Sequence, residues 1–276
     1  SEIKEGRLGA VGNLMMNLWD KVDWVSGLEY SNGKEFGNFI RSENRLKIQF
    51  LKDYILNAKV NFQSANPSFN YLLNTSVYKK YNYYYSDAQN ETVMELGGDI
   101  ALKWFDSKLF ANYFRIDNYA YFDADGQPNQ SGSSMNISQI GGEATLTWKK
   151  FNFNTKLLFQ SAINNKDLYP MPSFVGRANI YWQTKAFKNA AEIQTGIKAY
   201  YFSKFDSRDF LPILNEFVLP NSSAYSIGGE PILDIYFNLK VKTMRIYVEG
   251  QNFTEIFSQN KSFTAPYYPI NDFRLN

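Results

Sequence analysis

Along most of this chain every second residue is apolar, in segments of about ten residues or more joined alternately by very short charged turns and longer polar stretches. Successive side chains of a strand point to opposite faces, so this alternation predicts strands with one apolar and one polar face. From Gly6 to Leu18 the even positions carry Gly, Leu, Ala, Gly, Leu, Met and Leu, whereas Arg7, Asn13 and Asn17 fall at odd ones. Tyr54, Leu56, Ala58, Val60 and Phe62 alternate with Asn57, Lys59, Asn61 and Gln63, and Ala191, Ile193, Thr195, Ile197 and Ala199 with Glu192, Gln194 and Lys198. Strands of a soluble β-sandwich also alternate but run only about 5 to 6 residues. Strands of about 10 residues match a tilted bilayer crossing. The predicted fold is all-β, an antiparallel transmembrane β-barrel.

About 13 crossings are predicted, at 5–18, 22–32, 39–51, 54–64, 91–105, 108–122, 134–148, 151–162, 173–185, 189–202, 230–241, 243–254 and 268–276. Short turns fall at Asp20-Lys21, Lys52-Asp53, Asp106-Ser107, Lys149-Lys150, 186–189 and 241–243; the longer stretches are 31–42, 64–90, 123–133, 161–172, 203–229 and 255–267. Bacterial barrels have short periplasmic turns and longer extracellular loops, so the short set is expected in the periplasm. Residues 1–276 read as a single barrel portion, with 65–90 and 203–229 as its large extracellular loops. An odd strand number, and two hydrogen-bonding edges that cannot face lipid, predict the C-terminal portion of a larger even-stranded barrel whose last strand has barely begun. Phe69 to Tyr85 alternates in part, but as a crossing it would put the turns after Trp104 and Trp148 opposite the turn after Trp19. It is therefore expected to be an ordered piece of a loop. The apolar phase switches from Leu109, Ala111 and Tyr113 to Phe114 and Ile116, which predicts a β-bulge near Phe114.

Composition changes the picture at a few points. The chain is 17% aromatic, with 20 Tyr and 23 Phe, well above an ordinary soluble domain. No run of about 18 apolar residues exists to form a membrane-spanning helix. Trp19, Trp24, Trp104, Trp148 and Trp182, all five tryptophans, sit within a few residues of short turns, the pattern of a periplasmic aromatic girdle. Cysteine and histidine are both absent, which removes disulfides, thiolate metal sites and His-dependent catalysis. A net charge of +2 gives no case for nucleic-acid binding. Ser1 to Arg7 is charged and lacks the apolar stretch of a signal peptide.

The polar phase supplies the candidate lumen lining: Arg7, Glu29, Arg45, Lys59, Glu95, Asp99, Lys103, Arg177, Glu192, Lys198, Asp234, Arg245 and Glu249, joined by Asp23, Lys47 and Lys240. Both signs occur in similar numbers among Asn and Gln, which predicts a hydrated interior of weak selectivity, with some charges pairing across strands to stiffen the wall. Asp123-Ala-Asp125-Gly126 matches part of a calcium loop, yet Tyr121 occupies the first ligand position and no glutamate follows at the right distance, so a turn is expected. Gly97-Gly98 and Gly141-Gly142 fall inside strands, where they ease bending or close approach. No catalytic residues, metal site or cofactor is predicted, and an enzyme is not expected.

The run from Pro231 to Glu249, then Gly250-Gln-Asn-Phe253 and Thr264-Ala-Pro-Tyr-Tyr-Pro-Ile270, resembles the porins of Bacteroidota outer membranes; so do Leu168-Tyr-Pro-Met-Pro172 and Ile116-Asp-Asn-Tyr-Ala-Tyr-Phe122. The resemblance extends more loosely over nearly the whole chain. It implies a barrel in the bacterial outer membrane, larger in total than this chain, contacting outer-membrane lipid and small hydrophilic solutes. The expected function is a porin-like channel for passive diffusion of such solutes. The alternatives are a structural or accessory subunit with protein partners in an envelope complex, and the barrel of a TonB-dependent transporter, in which the proline-aromatic segment before the last strand also occurs. A loop rich in Tyr81, Tyr83, Tyr84 and Tyr85 could serve a partner or occlude the pore.

Overall fold

The alternating segments form one sheet of 13 strands in which each strand bonds to the next one along the wall, in the order of the chain. The computed structural model describes residues 4–34, 36–221, 224–257, 263–265, 268–270 and 272–276. The strands are β1 (Arg7–Leu18), β2 (Val22–Gly33), β3 (Phe39–Leu51), β4 (Tyr54–Ala65), β5 (Glu91–Leu102), β6 (Ser107–Asp117), β7 (Met135–Trp148), β8 (Phe151–Ala162), β9 (Phe174–Ala186), β10 (Ala191–Phe202), β11 (Ile232–Val241), β12 (Met244–Gln251) and β13 (Arg274–Leu275). At one end, tight turns join them. Trp19 and Asp20 both take left-handed backbone, φ 54° and 52°, and Lys21 N donates to Leu18 O, the twist that suits a two-residue hairpin.

The strands are strongly staggered. One row of directly opposed residues starts at Asp23, beside a short turn, and runs through Lys47, Asn57, Asp99, Phe110, Gly141, Leu158 and Val175 to Phe202, at the loop end of β10. Such shear accompanies the tilt with which a sheet closes into a barrel. Close approach is visible at Gly141, where a methyl group would lie 2.5 Å from Phe110 Cζ.

Several expectations need correction. The register of β5 against β6 is continuous from Thr92↔Asp117 to Leu102↔Ser107, and that of β6 against β7 from Ile116↔Met135 to Lys108↔Glu143, so no bulge lies near Phe114. A shift occurs instead between Gln49 and Leu51. Phe114 and Ile116 keep the polar-face parity because they pack against Met135, Ile137 and Ala162 of β7 and β8, a core that loop residues also cover, while the Arg115–Asp117 pair lies on the opposite face. The crossing expected over 108–122 breaks at Asn118, φ 56°, and Ala120–Phe122 pairs within a loop. The crossing expected over 91–105 ends at Leu102, before a turn in which Phe105 and Asp106 have positive φ. β12 stops at Gln251, where Asn252 turns left-handed at φ 49°. Of the crossing expected over 268–276, Arg274–Leu275 joins the sheet and Asn276 exchanges backbone bonds with Glu249, whereas Tyr268–Pro269 pairs with Phe263–Ala265. Much of the 255–267 stretch and part of the proline-aromatic motif lie outside the described residues.

Phe69 to Tyr85 is not a crossing. It forms a helical turn (Phe69–Leu72), a two-residue pairing of Leu73–Asn74 with Tyr83–Tyr84, and a 3-10 turn (Lys79–Tyr81). Asp123 to Gly126 is a turn: Asp123 Oδ1 accepts from the amides of Asp125 and Gln127, each at 2.9 Å.

Burial is inverted relative to a water-soluble protein. Ile140, Phe159 and Ile180 project from the apolar face and are more than half exposed, a contiguous apolar surface that lipid would cover. The tight packing is at the loop end. Met135 and Phe122 are the largest fully buried side chains, and Met135, Ile137 and Ala162 pack with Phe114, Ile116, Tyr119 and Met171.

Candidate functional site

Every lumen candidate except Lys103 lies on one face, because directly opposed residues of antiparallel strands share a face. The register sets Arg7 opposite Gly33, Glu29 opposite Arg41, Arg45 opposite Lys59 and Asn61 opposite Glu95. It sets Asp99 opposite Asn57, Arg177 opposite Lys156, Glu192 opposite Lys185 and Lys240, Lys198 opposite Asp234, Arg245 opposite Lys240, and Glu249 opposite Tyr236. Lys103 lies just beyond the end of β5 and pairs with Asp53 of a neighbouring short turn at 3.4 Å. Lys108, Glu143 and Lys156 share the same face although they were not among the candidates; the alternation that selected the others also marks them.

Most of these charges are paired side by side. Lys59 bonds Glu95, Lys108 lies 3.5 Å from Asp99, Lys47 lies 3.6 Å from Asp23, and Lys156 lies 3.4 Å from Glu143. Asn57 donates to Asp99 and Asn61 to Glu95, each at 2.7 Å, so the carboxylates keep further hydrogen bonds. Towards the other edge Lys198 Nζ sits 2.6 Å from Glu249 and 3.2 Å from the Tyr247 hydroxyl, with the Tyr236 ring 5.0 Å away. Asp234 is not bonded to the opposed Lys198; it accepts from the Asn252 amide at 2.8 Å and closes the backbone where β12 ends.

The five tryptophans gather at the short-turn end. Trp19 and Trp104 lie in turns, and Trp24, Trp148 and Trp182 sit on the apolar face beside them. Lys149 and Lys150 lie over the Trp148 and Trp182 rings at 5.4 and 5.9 Å, a cation-aromatic arrangement suited to a headgroup region.

At the other end four loops interlock. Phe122 stacks on Tyr71 with centroids 4.6 Å apart, and Asn70 donates to Glu216 at 2.6 Å. The hairpin of Ala120–Phe122 with Pro128–Gln130 joins the hairpin of Asp209–Leu211 with Glu216–Val218 through a parallel bridge, Val218↔Phe122. Lys80 pairs with Asp125 at 3.0 Å, and Arg208 donates to the Tyr119 hydroxyl at 2.9 Å and to Leu168 O. The Met135 cluster ties this assembly to the polar-face side of β6, β7 and β8, so the loops fold onto that face. Burial pushes the Tyr71 and Tyr83 phenols up to about 12 from an ordinary 10, with Glu216 adding to both. Their neutral forms are therefore favoured in the packed loops, and that stabilisation is complete below pH 10 and lost as pH rises towards 12. Alkaline titration should show protease access to 65–90 rising over that interval while the strands stay resistant.

A family model described as "Putative porin" matches residues 1–276. No curated protein matches the sequence. Among solved structures the chain is similar to the ferric enterobactin receptor PfeA of Pseudomonas aeruginosa, with TM-score 0.69 and 12% identity, covering 98% of this chain and 44% of that one. The siderophore receptor PirA of Acinetobacter baumannii matches at TM-score 0.66 and 12% identity, over 98% and 45% of the two chains. The FrpB iron transporter of Neisseria meningitidis matches at 0.66 and 10%, over 98% and 44%. The chain thus spans less than half the length of these structures, and at such identities the likeness concerns the barrel fold. With an antiparallel sheet of this shear, an apolar outer face and a family model matching end to end, the chain belongs to that porin family and is a β-barrel protein of the bacterial outer membrane.

Proposed function

We propose that the polar face lines a water-filled lumen and that the protein acts as a porin-like channel for passive diffusion of small hydrophilic solutes, narrowed by loops 65–90 and 203–229 on the extracellular side. The observation that carries this reading is the recurrence of charges and amides on one face from β1 to β12, most of the charges paired with a neighbour. Charges neutralised by their neighbours hydrate the wall without imposing one strong sign, so weak overall selectivity is expected.

A specific observation favours a second reading, an accessory or scaffold barrel: the interlocked loops pack onto the face that would conduct. Single-channel recording of the full-length protein decides between them. Stable steps in the intact protein, enlarged when 65–90 is shortened to a tight turn, are the expected outcome. Silence both with and without that loop would reject the channel.

A further inference from the structure

The polar face is not evenly mixed along its length. A cavity of about 480 Å³ opens on it, lined by Arg45, Lys47, Lys59, Lys108 and Lys156 but only two carboxylates, Asp23 and Asp99. Each lysine has a carboxylate partner, at Asp23, Glu95, Asp99 or Glu143. Arg45 is held less closely. Its nearest carboxylate is Glu43 at 3.9 Å, which also bonds Arg41, and the Arg45 side chain is 69% exposed.

The register is the second indication. Arg45 stands directly opposite Lys59, and Lys156 directly opposite the exposed Arg177. Like charges placed directly opposite destabilise a sheet, so a wall built for rigidity alone would alternate signs at these positions. A concave surface whose own lining carries more cations than carboxylates, with Val25 and Phe110 as apolar neighbours on the same face, draws counter-charged solutes.

We propose that this cavity is a subsite for a small multivalent oxyanion, a solute bearing two or more carboxylate or phosphate groups. The Arg45 guanidinium offers a planar pair of N–H donors to one such group, and the lysine ammoniums act as point charges around the others. The Lys47–Asp23 pair is solvent-exposed and individually weak, so an entering anion competes with Asp23 at little cost, while the more covered Lys108–Asp99 pair stays in place beside it. The subsite rests on reading this face as water-filled, yet it needs no conducting pore.

The test is calorimetric titration of the detergent-solubilised full-length protein with inorganic tripolyphosphate and, separately, with citrate at low salt. Saturable binding is expected for at least one anion. Affinity should fall tenfold or more in the Arg45→Gln/Lys156→Gln double variant, by an intermediate factor in each single variant, and by less than twofold in Lys52→Gln, which removes a positive charge from a short turn. Absence of saturable binding of both anions, or equal losses in the double variant and Lys52→Gln, would overturn the proposal. Binding confined to one anion supports it and names the phosphate or carboxylate class. Anion binding by a protein that never conducts would reject the open channel and leave the subsite standing.

Discussion

Leu157→Arg is expected to cut the assembled fraction of the protein sharply, whereas Lys156→Glu, one residue away, leaves assembly intact. Leu157 lies midway along β8 on the apolar face, opposite Gly142 and Gly176, and it is 39% exposed on the side that lipid would cover. An arginine at the bilayer midplane of a barrel costs about 2–4 kcal/mol. That is roughly a thirty- to thousandfold shift in the assembly equilibrium. At Lys156 the side chain enters the polar face, and a carboxylate there would meet Arg177 on one neighbouring strand and Glu143 on the other, a local exchange of charges in water and not in lipid. A membrane-assembly assay that separates folded from unfolded protein reads both variants. Equal tolerance of the two would show that the faces are assigned the wrong way round.

Phe122→Ala should release the loops while the strands stay paired. Phe122 is only 1% exposed, stacks on Tyr71 and lies 6.2 Å from the Tyr83 ring, and its carbonyl accepts from Leu219 N at 3.0 Å. Truncating a buried phenylalanine to alanine costs about 3–5 kcal/mol. The loops are held by a small core and several exposed polar bonds, so a loss of that size is enough to undo the interlock. Limited proteolysis should then cut within 65–90 at least tenfold faster, and channel records should show larger steps. Unchanged protection of the loop would mean that its anchoring lies elsewhere, with Asn70–Glu216 the next contact to cut.

What could be read from the sequence was whatever depends on parity alone. The alternation of Tyr54 to Phe62 or of Ala191 to Ala199 identifies a strand and both its faces, because a strand that spans lipid and water must keep that parity throughout. It failed where a third body touches the wall. Phe114 and Ile116 look like a slipped phase only until they are seen to share the Met135–Ile137–Ala162 cluster with Tyr119 and Met171, from two different loops. Pairings such as Val218↔Phe122 had no local signal, since each partner sits in a three-residue strand of its own small hairpin and the two hairpins meet at a single bridge. The polar face was legible in the same way as the strands, Lys108, Glu143 and Lys156 included. Which cations share a cavity was not, because that depends on the stagger accumulated over several strands.

The Asn70–Glu216 bond also bears on how the molecule is built over time. It closes 146 residues of chain, and six complete strands, β5 to β10, lie between its partners. Contacts that enclose so long a segment pay their closure entropy before they return any stabilisation, so they form late and slowly. The interlock can therefore snap shut only on a wall whose intervening strands are already in register. A single register slip among them displaces one partner and leaves the mouth ajar, so the loop assembly reports on the register of every strand that lies between its partners.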